Sequence, residues 1–433
     1  MQRRDFLTAS AAAGAGRVLG ANDRVVVGLI GCGGRGRYVA ELMREAPGVE
    51  FAAAADVYFP NAERARTWAG PQAQAYQDFR RILERKDIDA VLIATPDHWH
   101  ATATVLACQA GKDVYVEKPL SHNVREGRKM VEAAREHNRI VQTGTQHRSA
   151  PHFHEVAQII ASGQLGDVRL VRVWNYVNMY PEGIGREPDS AVPEGLDWDF
   201  YLGPAPKVPF NRKRFLVTFR WFWDYANGYI SDYGTHRFDT VHQIMRVNAP
   251  RSVSASGARF SLRDEGEIPD ILQVTYEYPG FVLSYEACLL NGHGLGGRTP
   301  GMKYYNARGA EDRPNGMAFY GTSGALFADR IGYEIYPEEK PRYPQRPLER
   351  VHKNTTDATA LHAANFIECV RSRKKPNADA EIGHRSTTVP LIGNIAYKTG
   401  RKLRWDAEAE EFRDDPEASR MLGREARKPW DLI

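Results

Sequence analysis

Cysteine is scarce: Cys32, Cys108, Cys288 and Cys369 are the four among 433 residues. No two form a C-x-x-C pair, which excludes a disulfide framework and a zinc site built on thiolates. No metal is expected. An excess of either charge is lacking as well, since 58 basic residues face 54 acidic ones for a net charge of +4. That balance argues against a nucleic-acid partner and for a small molecule. No run approaches the roughly 18 apolar residues of a membrane-spanning helix. Hydrophobic content of 42% and charged content of 26% are ordinary for a globular chain, and the length allows two or three domains. The sequence shows no internal repeat.

What is there begins with Arg3-Arg4-Asp5-Phe6-Leu7, followed by small residues over 8–16. A twin arginine before an aromatic–aliphatic pair reads as an address for the route that exports folded proteins, here over residues 1–22. Arg17 interrupts the apolar tract, and no A-x-A site is well placed, so a cleavage point is not assigned. The expected location is periplasmic or otherwise exported. A cytoplasmic chain with a plain basic N-terminus is the alternative.

Residues 23–147 read as a nucleotide-binding domain. The β-branched run Val25-Val26-Val27-Gly28-Leu29-Ile30 feeds into Gly31-Cys32-Gly33-Gly34-Arg35-Gly36, and Val39, Leu42 and Met43 follow at helical spacing. Strand, G-x-G-x-x-G and helix in that order form a dinucleotide cradle. Gly31 permits the tight turn, Gly33 lets a pyrophosphate approach and Gly36 lets helix and strand pack. Asp56 ends the next apolar run; a carboxylate there accepts from a ribose diol and repels a 2′-phosphate, favouring NAD over NADP. Further strand-like runs end in Thr95-Pro96-Asp97 and Glu117-Lys118-Pro119, and the last, at 140–144, leads to Gln146. Strand ends in such a sheet point at the ligand crevice. Thr95, Pro96, His98, His100, Glu117, Lys118 and Gln146 are therefore placed around the nicotinamide. Pro119 restrains the backbone beside Lys118, through a trans or a cis bond.

Residues 148–406 read as a second, α+β domain. Strands are expected at 168–176, 252–260, 271–278, 281–289 and 317–330, and two helices near 361–370 and 389–395. Long irregular stretches lie at 178–214 and 291–316. Trp221-Phe222-Trp223 precedes Asp232-x-Gly234-x-His236-x-x-Asp239. With Gly234 in the first turn of a helix, Asp232 and His236 share one face. The residues alone leave two readings open: an acid beside a proton-transfer group, or a helix cap beside a core-edge histidine. The charged tail, 407–433, reads as a strap or an oligomer contact.

The G-x-G-x-x-G turn, Thr95-Pro96-Asp97-x-x-His100, Glu117-Lys118-Pro119 and Asp232-x-Gly234-x-His236 together resemble the glucose–fructose oxidoreductase, inositol dehydrogenase and rhizopine-catabolism (Gfo/Idh/MocA) family, over nearly all of the chain after residue 23. The twin-arginine start resembles an exported subset. The resemblance implies an α/β protein: a doubly wound parallel Rossmann sheet, then an α+β domain with a large open, mostly antiparallel sheet. It implies a homo-oligomer and a carbohydrate substrate held between sheet and nicotinamide. Lys118, His236 and Asp232 become the catalytic residues; Tyr176 and Trp221, as flat aromatic faces, and Arg148, as the polar residue after Gln146, are read from the sequence itself as sugar contacts. His236 would take a hydroxyl proton, and Lys118 would steady the developing alkoxide. The expected activity is hydride transfer from a secondary hydroxyl of a sugar, glycoside or polyol to tightly bound NAD. The alternative is a redox-neutral NAD-dependent glycosidase or epimerase that oxidises its sugar transiently. The related α-N-acetylgalactosaminidases have valine in place of Lys118. A sugar-binding sensor with structural NAD is a third reading, which the presence of all three catalytic residues disfavours.

Overall fold

A computed structural model of the chain describes residues 24–309, 313–339, 347–431 and 433. The twin-arginine segment lies outside them. The first sheet contains β1 (Val25–Ile30), β2 (Val49–Ala55), β3 (Gln74–Tyr76), β4 (Ala90–Ile93), β5 (Asp113–Val116) and β6 (Val141–Thr143). Its order is β3-β2-β1-β4-β5-β6, with every pair parallel. The central strands β1 and β4 are continuous buried apolar runs because both faces are covered. Helices α1 (Gly34–Arg44), α2 (Phe59–Ala69), α3 (Arg80–Leu83), α4 (His100–Gln109) and α5 (Val124–Glu136) alternate with them.

The second sheet has ten strands. They are β7 (Leu170–Tyr176), β8 (Ser252–Ala258), β9 (Ile271–Tyr278), β10 (Phe281–Cys288), β11 (Asn315–Gly321), β12 (Gly324–Asp329), β13 (Gly332–Pro337), β14 (Val351–Asn354), β15 (Leu403–Asp406) and β16 (Glu411–Arg413), in the order β14-β13-β12-β11-β7-β10-β9-β8-β15-β16. Its pairs are antiparallel except β7 with β10. Strand β9 shows why it is one-sided: Leu272, Val274, Tyr276 and Tyr278 are buried while Gln273, Thr275 and Glu277 face out. The inner face is covered by α6 (Pro151–Ala161), α9 (Gly234–Met245) and α11 (Ala380–Thr399), through Phe153, Phe238, Val241 and Ile392. Short α7 (Trp198–Leu202) and α8 (Gly228–Asp232) sit in the connections.

The chain then returns to its beginning. Helix α10 (Thr359–Ser372) buries Ala363, Phe366 and Ile367 in the same cluster as Val27 and Leu29 of β1 and Val39 of α1. The segment before α11 covers the β6 edge, with Thr143 donating its backbone N–H to Ala378 at 2.9 Å. After α12 (Pro416–Arg420), Trp430 stacks on Phe200 at 4.8 Å and meets Trp99 edge-on at 5.3 Å.

Two expectations are corrected. The single strand expected at 317–330 is the hairpin β11–β12, turned at Thr322-Ser323. Glycines flank the turn because a Cβ at Gly321 would lie 2.0 Å from the Leu165 carbonyl oxygen and one at Gly324 2.4 Å from that of Tyr336. The tail is not separate from residue 407 onward, because β15 and β16 pair across that point.

Candidate active site

Between the two sheets lies a cleft of about 730 Å³. Its first end is the glycine turn. Gly31 has φ +85°, and a Cβ there would sit 2.6 Å from the Ala94 carbonyl. A Cβ at Gly36 would lie 2.2 Å from the Gly31 carbonyl oxygen. Both positions therefore demand glycine. Gly33 and Gly34 differ: nothing lies within 4 Å of a Cβ at either, and both line the cleft. No side chain caps α1, and its first turn holds no acid, so a positive helix end is left for an anion. Arg35 Nη2 and Thr95 Oγ1 are buried here without hydrogen-bond partners. Asp56, at the end of β2, accepts from the backbone N–H of Cys32 at 2.8 Å and of Tyr58 at 2.9 Å. Burial raises its pKa against those bonds. The open glycine backbone, the uncapped helix and the unpartnered donors fit a dinucleotide.

The other end holds Lys118, Asp232 and His236. The Lys118–Pro119 bond is cis. His100 donates from Nδ1 to the Pro119 carbonyl at 2.7 Å, and Leu120 donates its N–H to Thr387 at 3.0 Å. Lys118 is thereby fixed. Its ammonium donates to Asp232 Oδ1 at 2.5 Å and to the Asp232 carbonyl at 2.8 Å. Arg220 Nε stands 3.3 Å from the other carboxylate oxygen. Lys118 and Arg220 overcome the effect of burial and hold Asp232 well below the usual carboxylate range. His236 lies in the first turn of α9 and stacks on His147 at 5.2 Å. Burial, with Lys118 and His147 nearby, drives its pKa well below the usual imidazole range. It is therefore neutral at neutral pH, and its buried Nδ1 has no hydrogen-bond partner.

Family models match both halves of the chain. The "oxidoreductase family, NAD-binding Rossmann fold" model covers 25–145, and the "oxidoreductase family, C-terminal alpha/beta domain" model covers 152–279 and 327–432. The chain belongs to the Gfo/Idh/MocA oxidoreductase family. An inositol 2-dehydrogenase from Rubrobacter xylanophilus is 34% identical over 158 residues, 36% of this chain and 45% of that protein. An uncharacterized oxidoreductase, YrbE of Bacillus subtilis, is 30% identical over 152 residues, 35% of this chain and 44% of it. The matches thus span less than half the length of these curated relatives. An aldose–aldose oxidoreductase from Caulobacter crescentus, solved with glycerol, superposes with a TM-score of 0.64 at 17% identity, over 88% of this chain and 99% of that one. A levoglucosan dehydrogenase bound to NADH gives 0.64 at 18%, over 88% and 98%. At such identities the superpositions establish the fold.

The cleft of this Gfo/Idh/MocA chain gathers most of the residues expected there. Pro96, Glu117, Gln146 and Trp221 line it. Glu117 accepts from Arg35 Nε at 2.8 Å. In the amide orientation its neighbours favour, Gln146 donates to the Gly144 carbonyl at 2.8 Å and accepts from Arg330. Five expectations are corrected. Asp232 pairs with Lys118 and Arg220, not with His236, because it ends α8 while His236 belongs to α9. His98 is buried away from the cleft with Nε2 at the Tyr201 carbonyl, 2.9 Å. His100 braces the Thr95 and Pro119 carbonyls. Arg148 spends its guanidinium on buried Asp239, at 2.9 and 3.0 Å. Tyr176 lies on the outer face of the sheet and donates to Glu286 at 2.8 Å.

Other lining residues were not expected: Asp97, Arg220, Tyr229, Tyr233, Arg237, Tyr305 and Arg330. Burial pushes Asp97 up to about 7 against the pull of Arg220, with Asp232 adding to the rise. Tyr229 and Tyr233, with rings 4.7 Å apart, both have their pKa raised by burial, so their hydroxyls stay protonated.

Proposed function

We propose that the chain is an NAD-dependent dehydrogenase acting on a secondary hydroxyl of a sugar, glycoside or polyol. The observation that carries this reading is one cleft with a dinucleotide cradle at one end and Lys118, Asp232 and His236 at the other. A bound nicotinamide would accept the hydride. Lys118, oriented by Asp232, donates a hydrogen bond to the substrate oxygen as charge develops there. Neutral His236 accepts the hydroxyl proton, so the alcohol becomes a ketone with proton and hydride leaving separately. Tyr229 and Tyr233 offer donors, and Trp221 a flat face, to the ring.

Asp56 supports NAD over NADP, since its carboxylate lines the cleft and would oppose a 2′-phosphate. Export is supported by Arg3-Arg4 and Phe6-Leu7. An exported dehydrogenase meets no soluble nicotinamide pool, so its NAD stays bound and is reoxidised in place by a keto-sugar. Homo-oligomer formation is supported by the outer sheet face, where Leu170 and Val282 sit exposed side by side in register.

The test is a near-ultraviolet spectrum of protein purified without added cofactor, recorded before and after a panel of sugars. Reduction of bound nucleotide by one sugar and its reoxidation by a keto-sugar are expected. Aglycone release from a chromogenic glycoside with the nucleotide still oxidised would replace the dehydrogenase with the glycosidase.

A further inference from the structure

Two arginines are almost wholly buried among the described residues, and they are treated differently. Arg313 is 4% exposed and lies 3.0 Å from the Glu334 carboxylate. Arg237 is 2% exposed, lines the cleft, and forms no salt bridge. Its Nε and Nη2 are buried with no hydrogen-bond partner. Asp329 is the one carboxylate whose charge acts appreciably on it, but that carboxylate accepts the backbone N–H groups of Tyr305 at 2.9 Å and Ile331 at 2.8 Å. Burial pulls the pKa of Arg237 below its ordinary value, with Tyr305 and Asp329 opposing. A buried guanidinium left uncompensated is costly, and such groups are ordinarily paired.

The neighbouring cations of the cleft are already engaged. Arg35 holds Glu117, Lys118 and Arg220 hold Asp232, and Arg330 holds Asp357. Arg237 is thus one unspent fork, directly after His236 on α9 and near Tyr229 and Tyr233. We propose that Arg237 binds a carboxylate on the substrate, making the substrate class an acidic sugar such as a hexuronic acid or its glycoside. One unspent guanidinium balances one negative charge, and its planar fork matches a carboxylate. A phosphate dianion would ask for a second free cation that these pairings do not leave. The inference rests on the dehydrogenase reading for the reaction, but not for the binding.

The experiment is calorimetric titration of the NAD-loaded protein with D-glucuronate, D-galacturonate and D-mannuronate. Each is compared with its parent aldose and that aldose's 6-phosphate, and reduction of NAD is followed in parallel. At least one hexuronate is expected to bind about tenfold or more tightly than its parent aldose, the scale of a charge-assisted hydrogen bond. Arg237→Gln should bring that ratio close to one. Should the variant fail to fold, the wild-type ratio decides alone. Equal or weaker binding of every hexuronate, preference for a 6-phosphate, or an unchanged ratio in Arg237→Gln overturns the proposal. A neutral aldose that reduces NAD with no preference for acids leaves the dehydrogenase standing and sinks the acid site. Arg237-dependent hexuronate binding with no redox change on any sugar does the reverse.

Discussion

Replacing Lys118 with Met deletes the ammonium and keeps an apolar stem of similar length. Two contacts vanish, at 2.5 Å to the Asp232 carboxylate and 2.8 Å to its carbonyl. Removing one partner of a buried ion pair costs about 3–5 kcal/mol when the other is left alone. Asp232 is not left alone, because Arg220 remains 3.3 Å from Oδ2. The stability loss is therefore expected nearer ~1–3 kcal/mol, the scale of one charge-assisted hydrogen bond, seen as a melting point a few degrees lower. The chemical loss is larger. A donor aimed at charge that develops in the transition state is worth about 10²–10³ in kcat. Because the bond to the substrate oxygen strengthens as the reaction proceeds, kcat and kcat/KM should fall together while KM holds. The assay is single-turnover reduction of bound nicotinamide by the best sugar of the panel, paired with a melting curve. A folded Lys118→Met enzyme whose kcat stays within about tenfold of wild type would refute the reasoning and reduce Lys118 to a clamp on α8.

Two glycines of the same turn should part company. Gly36→Ala puts a methyl 2.2 Å from the Gly31 carbonyl oxygen and should lower the yield of folded protein, whereas Gly33→Ala meets nothing within 4 Å and should fold normally while binding NADH more weakly by fluorescence titration. Equal melting points for the two variants would contradict this. Asp56→Asn should cut the kcat/KM preference for NAD over NADP by about tenfold; an unchanged ratio would remove Asp56 from cofactor choice. Asp97 has a folded pKa of about 7, above the unfolded value of 3.8. The stability associated with its protonated form is complete below the unfolded pKa and is lost as pH rises towards 7. Asp97→Asn should flatten that decline, and parallel melting-point profiles for the two proteins would refute the assignment.

The cradle was legible because its parts are contiguous: an apolar run, glycines whose spacing has steric reasons, and an acid ending the next strand. Lys118 and His236 were legible through short motifs at the ends of elements. What was lost is orientation and distant pairing. His98 and His100 follow a strand end, but a short 3₁₀ turn at Asp97–Trp99 rotates both inward, and no local pattern reports that. Arg148 seemed free because Asp239, its partner, lies far along the chain. Arg237 carries no sequence sign of its place in the cleft, since residues adjacent on a helix, as it is to His236, normally face different neighbours. The split of 317–330 could have been read, because Gly321 and Gly324 flank a Thr-Ser turn and punctuate an otherwise continuous apolar stretch.

Trp430 wedges against Phe200 and Trp99, both of which line the cleft. The wall beside the nucleotide cradle is thus finished by Trp430, which lies far down the chain from every strand of the first sheet. A nascent chain can assemble the first sheet early, yet that sheet still lacks α10 over one face and Trp430 at its rim. The cleft is therefore complete only when distant stretches of the chain have come together, and Trp430→Ala would be felt in the half of the protein that lies first in sequence.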